Sequence, residues 1–492
     1  MVRVSGLASG MDIDEIVKSM MQAERVPLDK LTQKKQYSEW QRDDYRTVNT
    51  ALSELDKLIS DGVGKQSSFI KKTVTVSNPN AIGIKNINST TDFAGTIEVQ
   101  NLAVAATMKN HTSLSLDSKA KLLAEGEAEK EIYIQAIDKN GELGEKKKLI
   151  ITAEDTLDSL ISKINSNTDV TAFYDKQSGQ MSFTAKNTGD IANKAEINLT
   201  GDFFTGTLMM DADNTTKNGT SGINATLTYN GLEITRSSNV INLNGAEFTL
   251  KGKTEGPVTF SSKADVDTIL DTVTQFVNKY NEIIKKIQDK TSESKYRSYT
   301  PLTTEQKKAM TEDEVKLWEE KAKSGTLKND STLKNLLTTM RSSLYTSVSS
   351  MTGTNTLSKL GITTTSNYLE GGKLTIDEDK LRAAISEDPN AIYKLFMAEG
   401  KSTDKSSQGL ARRLRADIQS SMKVITEKAG KAGYVNNMFT IGKSVNGLDT
   451  RISTFEAKLV KLETRYYNQF TAMEKAISKA NSQSSSLSQY FS

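Results

Sequence analysis

The chain has 492 residues, 25 % of them charged, with a net charge of +3, one histidine and no cysteine. Its length holds three or more domains, and its near-balanced charge gives no pull toward nucleic acid or an acidic membrane. Disulfides, thiolate metal sites and cysteine nucleophiles are excluded, and His111, in a polar stretch, has no second imidazole with which to hold a metal.

Residues 4–12 carry Gly6 and Gly10 and have little intrinsic order. Asp12 is then an N-cap, Glu15 stands at the capping-box position, and Met11 can staple onto Ile16. Ile13, Ile16, Met20 and Ala23 form the face of the helix that follows. Pro27 is expected to end or kink it, with a second helix running to about Ile59 and closed by Gly62 and Gly64. Tyr45, Val48, Leu52, Leu55 and Ile59 repeat at three-four spacing and fade upstream into Leu31 and Leu28. Lys35, Ser38 and Gln41 interrupt that stripe at core positions, which weakens pairing.

From Phe69 the period changes to two, with alternation at Val74/Val76, Ile82/Ile84 and Ile97/Val99. Asn140-Gly141 marks a hairpin between strands at 132–137 and 149–151. One helix, 156–165, buries Leu157, Leu160, Ile161 and Ile164, and strands at 170–174 and 181–184 follow. Residues 205–222 are rich in Thr, Asn, Asp and Gly and read as a loop or domain joint. Two further hairpins turn at Asn230-Gly231 and Asn244-Gly245.

At Asp265 the helical period returns, with Ile269, Val273, Phe276, Tyr280, Ile283 and Ile287 in one stripe that is either internal core or a partner seam. A polar link with Pro301 leads to short helices around Met310 and Trp318. Leu333, Leu336, Leu337, Met340, Leu344 and Val348 mark a further amphipathic helix. A short strand at 373–376 precedes two capped helices, the second with Asp388 as cap and Pro389 in its first position. Leu410, Leu414, Ile418 and Ile425 mark one more. Residues 430–447 are expected to be flexible. Val445, Leu448, Ile452, Phe455, Leu459, Leu462, Tyr466, Met473 and Ala480 then form a heptad seam, broken only at Gln469 and Ala476, on a helix of about 50 Å. Neither terminal stripe can stay bare in water, and each is the nearest partner for the other.

The expected fold class is α+β multidomain: a terminal coiled-coil stalk from residues 1–45 and 440–492, a helical-bundle domain from 46–75 and 263–439, and two inserted small β-rich domains. These are 76–108 with 223–262, and 109–222 with one helix.

Little in the sequence carries chemistry, and no catalytic, cofactor-binding or metal-binding residue is assigned. Gly442-Lys443-Ser444 ends like a phosphate-binding loop, but Asn437 takes the place of its first glycine and no strand leads in. Asp138, Asn140 and Gly141 start like a calcium loop, but Leu143 stands where its glycine belongs. Glu312, Asp313 and Glu314 suit a helix N-terminus. The Asn-x-Ser/Thr triplets at Asn88, Asn198 and Asn218 are expected by chance in so Asn/Thr-rich a stretch. No run approaches the roughly 18 apolar residues of a membrane span, and the N-terminus has no signal-peptide pattern, which by itself reads as cytoplasmic while leaving open export through a recognised, uncleaved terminus.

Ser5-Gly6-Leu7-Ala8-Ser9-Gly10-Met11-Asp12 closely resembles the opening of the bacterial flagellar filament-cap proteins, the hook-associated protein 2 family. Gly95-Thr96-Ile97-Glu98-Val99-Gln100-Asn101-Leu102-Ala103 is similar to the end of that family's N-terminal region. Residues 156–165 with Val170-Thr171-Ala172 resemble its helix-then-strand segment. Residues 224–250, with Arg236-Ser237-Ser238-Asn239, resemble the start of its C-terminal region. Phe276-Val277-Asn278-Lys279-Tyr280-Asn281 and Leu374-Thr375-Ile376-Asp377 match as well, and 301–325 resembles the Gram-positive version. The likeness covers most of the chain in order and is weakest over 105–155.

This resemblance implies a homo-oligomeric ring, drawn as a pentamer, at the distal filament tip, which retains exported flagellin while it folds and inserts. It implies legs made from the terminal helices, export through the flagellar type III apparatus to the cell exterior, and a chaperone on the C-terminal helix before export. Hook-filament junction proteins are further implied partners, and a contribution to surface adhesion is a further implied role. It implies no enzyme activity, cofactor, nucleic acid or membrane insertion. The assembly interface is expected at Gly6, Leu7, Ala8, Ser9, Gly10, Met11 and Asp12, and along Leu448, Ile452, Phe455, Leu459, Leu462, Tyr466 and Met473. For residues 6–12 the competing reading is a disordered leader needed only for export. An adhesin on a coiled-coil stalk would show a signal peptide or anchor, and an enzyme would show a convergent polar constellation.

Overall fold

The computed structural model describes residues 9–401 and 403–491. The molecule is α+β with more than one core, and divides into two compact units: residues 1–69 with 269–492, and residues 70–268.

The first unit opens with helix α1, Ile13–Asp61, whose start is set by Asp12: its carboxylate accepts the Glu15 amide at 3.0 Å. Ile13 and Val17 are buried, whereas Met20 of the expected face is exposed. Pro27 neither ends the helix nor starts a second one, so one unbroken helix replaces the expected two. Proline removes one helical hydrogen bond and crowds the preceding turn, normally at about 3 kcal/mol. Here its ring is exposed while the adjacent Leu28 is buried, so water can reach the freed carbonyl, and contacts at Glu24 and Lys35 tie the helix down on either side.

The second unit is built on two separate cores. Strands β1 Lys72–Val76, β2 Ile82–Asn86, β3 Ala94–Asn101, β4 Thr107–Lys109, β5 Lys130–Ala136 and β6 Lys147–Ile151 lead to helix α2, Leu157–Asn167. Then come β7 Val170–Asp175, β8 Gln180–Ala185, β9 Ile197–Thr200, helix α3 Asp202–Gly206, β10 Gly219–Thr220, β11 Ala225–Tyr229, β12 Leu232–Arg236, β13 Val240–Leu243, β14 Ala246–Leu250 and β15 Val258–Ala264. An antiparallel sheet of order β1-β15-β3-β11-β12 and a smaller one of order β13-β14-β2 enclose Ile82, Ile97, Val99, Phe248 and Phe260. The rings of Phe248 and Phe260 meet edge to face at 5.3 Å.

The other core lies between sheets β10-β4-β8-β7 and β6-β5-β9, closed by α2 and α3. Thr156 caps α2 reciprocally with Ser159, and Leu157, Leu160 and Ile164 point inward. The expectation of one helix in 109–222 is corrected here by α3, and the stretch 205–222, expected as a loop or domain joint, takes in the end of α3 and strand β10. Phe203 and Phe204 on α3 are buried, Phe204 packs edge to face on Phe183 at 6.1 Å, and β10 pairs with β4. This part therefore holds a second, short helix besides α2. The segments are too short to show a period, and the burial of two adjacent phenylalanines is what organises them.

The first unit resumes with α4 Val266–Ser292, α5 Thr304–Lys308, α6 Glu312–Lys323, α7 Ser331–Tyr345, α8 Glu378–Glu387, α9 Pro389–Met397, α10 Leu410–Ala429 and α11 Thr440–Phe491. The α4 stripe is internal core: Ile269, Val273, Phe276, Tyr280, Ile283 and Ile287 are all buried, and Phe276 meets Phe396 of α9 at 5.5 Å. Tyr45, Val48, Leu52, Leu55 and Ile59 of α1 are buried with Leu410, Leu414, Ile418 and Ile425 of α10. Arg415 of α10 pairs with Asp56 and Arg46 donates to Ala429 O, so α10 runs antiparallel to α1.

Candidate assembly interface

The two terminal helices pair as their stripes require. Lys35 Nζ lies 2.6 Å from Asp449 Oδ1, and Tyr467 donates to Asp14 at 2.9 Å, so α11 runs antiparallel to α1 toward its N-terminus. Since α10 runs the same way, α10 and α11 lie one after the other along α1, with a loop at 430–439 between them.

Val445, Leu448 and Leu459 are buried in this pair, whereas Ile452, Phe455, Leu462, Tyr466 and Met473 are half-buried. One antiparallel partner therefore covers the seam only in part. Ala480 is exposed, six residues beyond Glu474, where Ser9, the first described residue, meets α11. From Ser478 to Ser488 every side chain is exposed.

Gly6, Leu7 and Ala8 lie outside the described residues. Ser9 donates its hydroxyl to Glu474, a buried carboxylate, and accepts the Met11 amide at 3.3 Å. Gly10 has φ +71°, and a Cβ there would meet nothing within 4 Å. Within one chain, glycine at this position answers to a left-handed backbone and not to a close approach. Met11 is exposed beside the Asp12 cap.

Sequence reasoning missed the polar contacts flanking the seam. Tyr466 donates to Glu24 at 3.2 Å, and Lys35 is not a bare interruption but paired, its ammonium held above the usual range by the hydrogen bond to Asp449. Gln41 donates to Thr326 O at 3.0 Å. Opposite charges beside a heptad seam are the available signal, but they point to a partner only once the helix direction is known.

The expected flexibility of 430–447 is also corrected. Residues 436–438 form a short turn and α11 begins at Thr440, so Gly442 and Gly447 are helical. Phe439 is buried under the Arg46 guanidinium, 5.2 Å from its ring centre. Gly430, at φ +67°, is needed there because a Cβ would meet the Phe439 ring at 2.5 Å.

A buried polar cluster lies where α1 meets α4 and α7. Asp44 accepts from Thr326 and pairs with Lys290 at 3.2 Å, while Tyr45 donates to Asp330, the N-cap of α7. Burial and the Asp330 carboxylate both push the Tyr45 phenol up. Every member has a partner, so the cluster joins helices and offers no free acid or base. Among the described residues no group of three or more His, Cys, Asp or Glu is placed to hold a metal, and no helix is long and apolar enough to cross a membrane.

Residues 222–482 match the family described as Flagellar hook-associated protein 2 C-terminus, and residues 9–106 its N-terminus counterpart. Residues 132–187 match the Flagellin hook IN motif. A flagellar hook-associated protein 2 from Halalkalibacterium halodurans is 33% identical over 544 residues, covering 100% of both chains. One from Escherichia coli K12 is 25% identical over 501 residues, covering 99% of this chain and 97% of that protein. The crystal structure of the flagellar cap protein FliD D1-D2-D3 domains from Escherichia coli is similar in fold, with a TM-score of 0.57 at 22% identity, over 82% of this chain and 99% of that one. With two matching regions that span most of its length and a relative aligned from end to end, the chain belongs to the flagellar hook-associated protein 2 family.

Proposed function

We infer that this chain caps the distal end of a bacterial flagellar filament, outside the cell, as a non-enzymatic ring of identical copies that holds exported flagellin while it folds and inserts. The observation that carries this reading is the end-to-end alignment at 33% identity with a flagellar hook-associated protein 2. The half-covered seam of α11 supports it further, because a two-helix leg with apolar side chains still half exposed suits contact with a filament end. In this reading residues 1–45 with 440–492 form the leg, 46–75 with 263–439 the chamber wall, and the two β-rich parts the outer plate. Residues 6–12 and the seam from Leu448 to Met473 touch the assembly. Export by the flagellar apparatus, a chaperone on the exposed end of α11 and contact with hook-filament junction proteins belong to the same reading.

A strain lacking the chain tests it. Such cells are expected to shed flagellin into the medium and carry no filaments, and purified protein added outside is expected to restore growth at the tip. Normal filaments in the deletion strain would overturn the reading.

A further inference from the structure

Beside α1 lies a groove of about 250 Å³ lined by Tyr37, Tyr296, Tyr299, Lys34, Lys295 and Arg297. Its base is braced: Pro301 and Ala322 are buried, Tyr299 packs on Trp318 with ring centres 4.6 Å apart, and the Trp318 indole donates to Thr300 O at 2.8 Å. Tyr296 meets Tyr299 edge to face at 6.1 Å and is itself 46% exposed. The groove is apolar inside, and its aromatic wall is held open toward solvent.

The cations here stand uncompensated. Lys295 sits over the Tyr37 ring at 4.5 Å, and Lys321, next to Ala322 of the lining, sits over the Tyr299 ring at 4.9 Å. Neither these two nor Lys34 and Arg297 has an ion pair among the described residues. The nearby carboxylates are engaged elsewhere: Glu293 with Lys290 and with the Gly325 amide, both at 3.0 Å, Glu305 with Arg25 at 3.4 Å, and Glu319 with Lys307 at 2.5 Å. Asp29 belongs to the Arg25–Glu305 group, and Glu320 stands about 200° round α6 from Ala322. The backbone amides of Tyr296, Arg297 and Ser298 also donate to nothing among the described residues.

We propose that this groove docks an acidic peptide segment of a different protein, one aromatic side chain entering between the tyrosine rings while flanking carboxylates meet Lys34, Lys295 and Arg297. Charge selects the sign of the partner, because carboxylates are what unpaired ammonium and guanidinium groups lack, and Arg297 can take one with two parallel bonds. The apolar interior selects a side chain: ring-on-ring packing adds to the burial of apolar area, whereas the hydroxyls of an acidic sugar would lose water there without a partner. A nucleic acid strand would need cations spaced along a backbone, and these cluster round one opening. The free amides at 296–298 suit the carbonyls of a peptide main chain. No part of this inference rests on the cap reading.

Fluorescence anisotropy on the full-length protein tests the docking. The probe is a fluorescein-labelled octapeptide with one phenylalanine between two pairs of aspartates. The wild type is expected to bind it, less tightly as salt is added. Binding is expected to weaken by at least about tenfold when asparagines replace the aspartates, when alanine replaces the phenylalanine, and in two groove variants, Lys295→Glu with Arg297→Glu, and Tyr296→Ser. Those three side chains are exposed, so thermal unfolding of both variants is expected to match the wild type and report intact folding. No binding by the wild type, equal binding of the asparagine peptide, or undiminished binding by both variants would overturn the proposal. So would a uronic-acid oligosaccharide that binds the same groove more tightly than the peptide. Each of these failures would leave the cap reading standing, since the deletion strain tests that separately.

Discussion

Lys35 of α1 and Asp449 of α11 meet at 2.6 Å across the antiparallel terminal helices, with the lysine at a position that a continuous heptad stripe would give to an apolar residue. Both side chains are partly exposed, so the pair contributes at most about 1 kcal/mol. Its main effect is to fix the register of α11 on α1 while leaving the pair weaker than an apolar contact would make it.

Replacing Lys35 with leucine should therefore strengthen the pair by about 1 kcal/mol through added apolar burial. Amide exchange over 13–40 and 445–474 is expected to slow relative to wild type. Faster exchange would show that the ion pair stabilises more than packing does.

Leu459 is buried against α1, and Leu459→Asp places an unpaired carboxylate in that contact. The pair of terminal helices is expected to lose roughly 3 kcal/mol or more, enough to open it, while the thermal transition of residues 46–439 stays in place. In cells the expected outcome is loss of filaments and shed flagellin. Wild-type motility in this mutant would remove the leg assignment.

Protection along α11 should not be uniform. Leu448 and Leu459 are buried, whereas every side chain from Ser478 to Ser488 is exposed. An isolated stretch of that length is marginal as a helix in water. Mass-resolved amide exchange is expected to show slow exchange over 445–460 and near-random-coil rates beyond Ser478; equal protection throughout would contradict this.

In the second unit, burial alone would push the Asp155 carboxyl up. The Lys163 ammonium at 2.6 Å, the Thr152 amide at 2.8 Å and the Ser159 hydroxyl at 2.7 Å outweigh it and hold the group well below the usual carboxylate range. A carboxylate depressed in the folded state contributes stability above its unfolded value, about 3.9, and loses it as pH falls through the folded value. Asp155→Asn should cost about 1–3 kcal/mol at neutral pH. The variant is then expected to lose less stability than wild type between pH 5 and pH 2. Thermal unfolding across that range checks it, and parallel pH profiles would exclude Asp155 as the source.

Local pattern alone determined much of this protein. The Asp12 cap, the buried stripes of α4, α7 and α10, and the heptad seam of α11 follow from spacing, because a helix needs only its own period to present one apolar face. The hairpins at Asn230-Gly231 and Asn244-Gly245 were legible for the same reason: all four residues take positive φ, which those residue types accept. What no local pattern could decide was which surfaces meet. Pro27 stays within one helix, with contacts on either side of it tying α1 down, and Lys35 reads as a defect until Asp449 stands opposite. The 430–439 stretch looks flexible until Phe439 is placed under Arg46. Only the tertiary structure sets these outcomes, because each depends on a residue hundreds of positions away, and the free energy of a contact is absent from either segment taken alone.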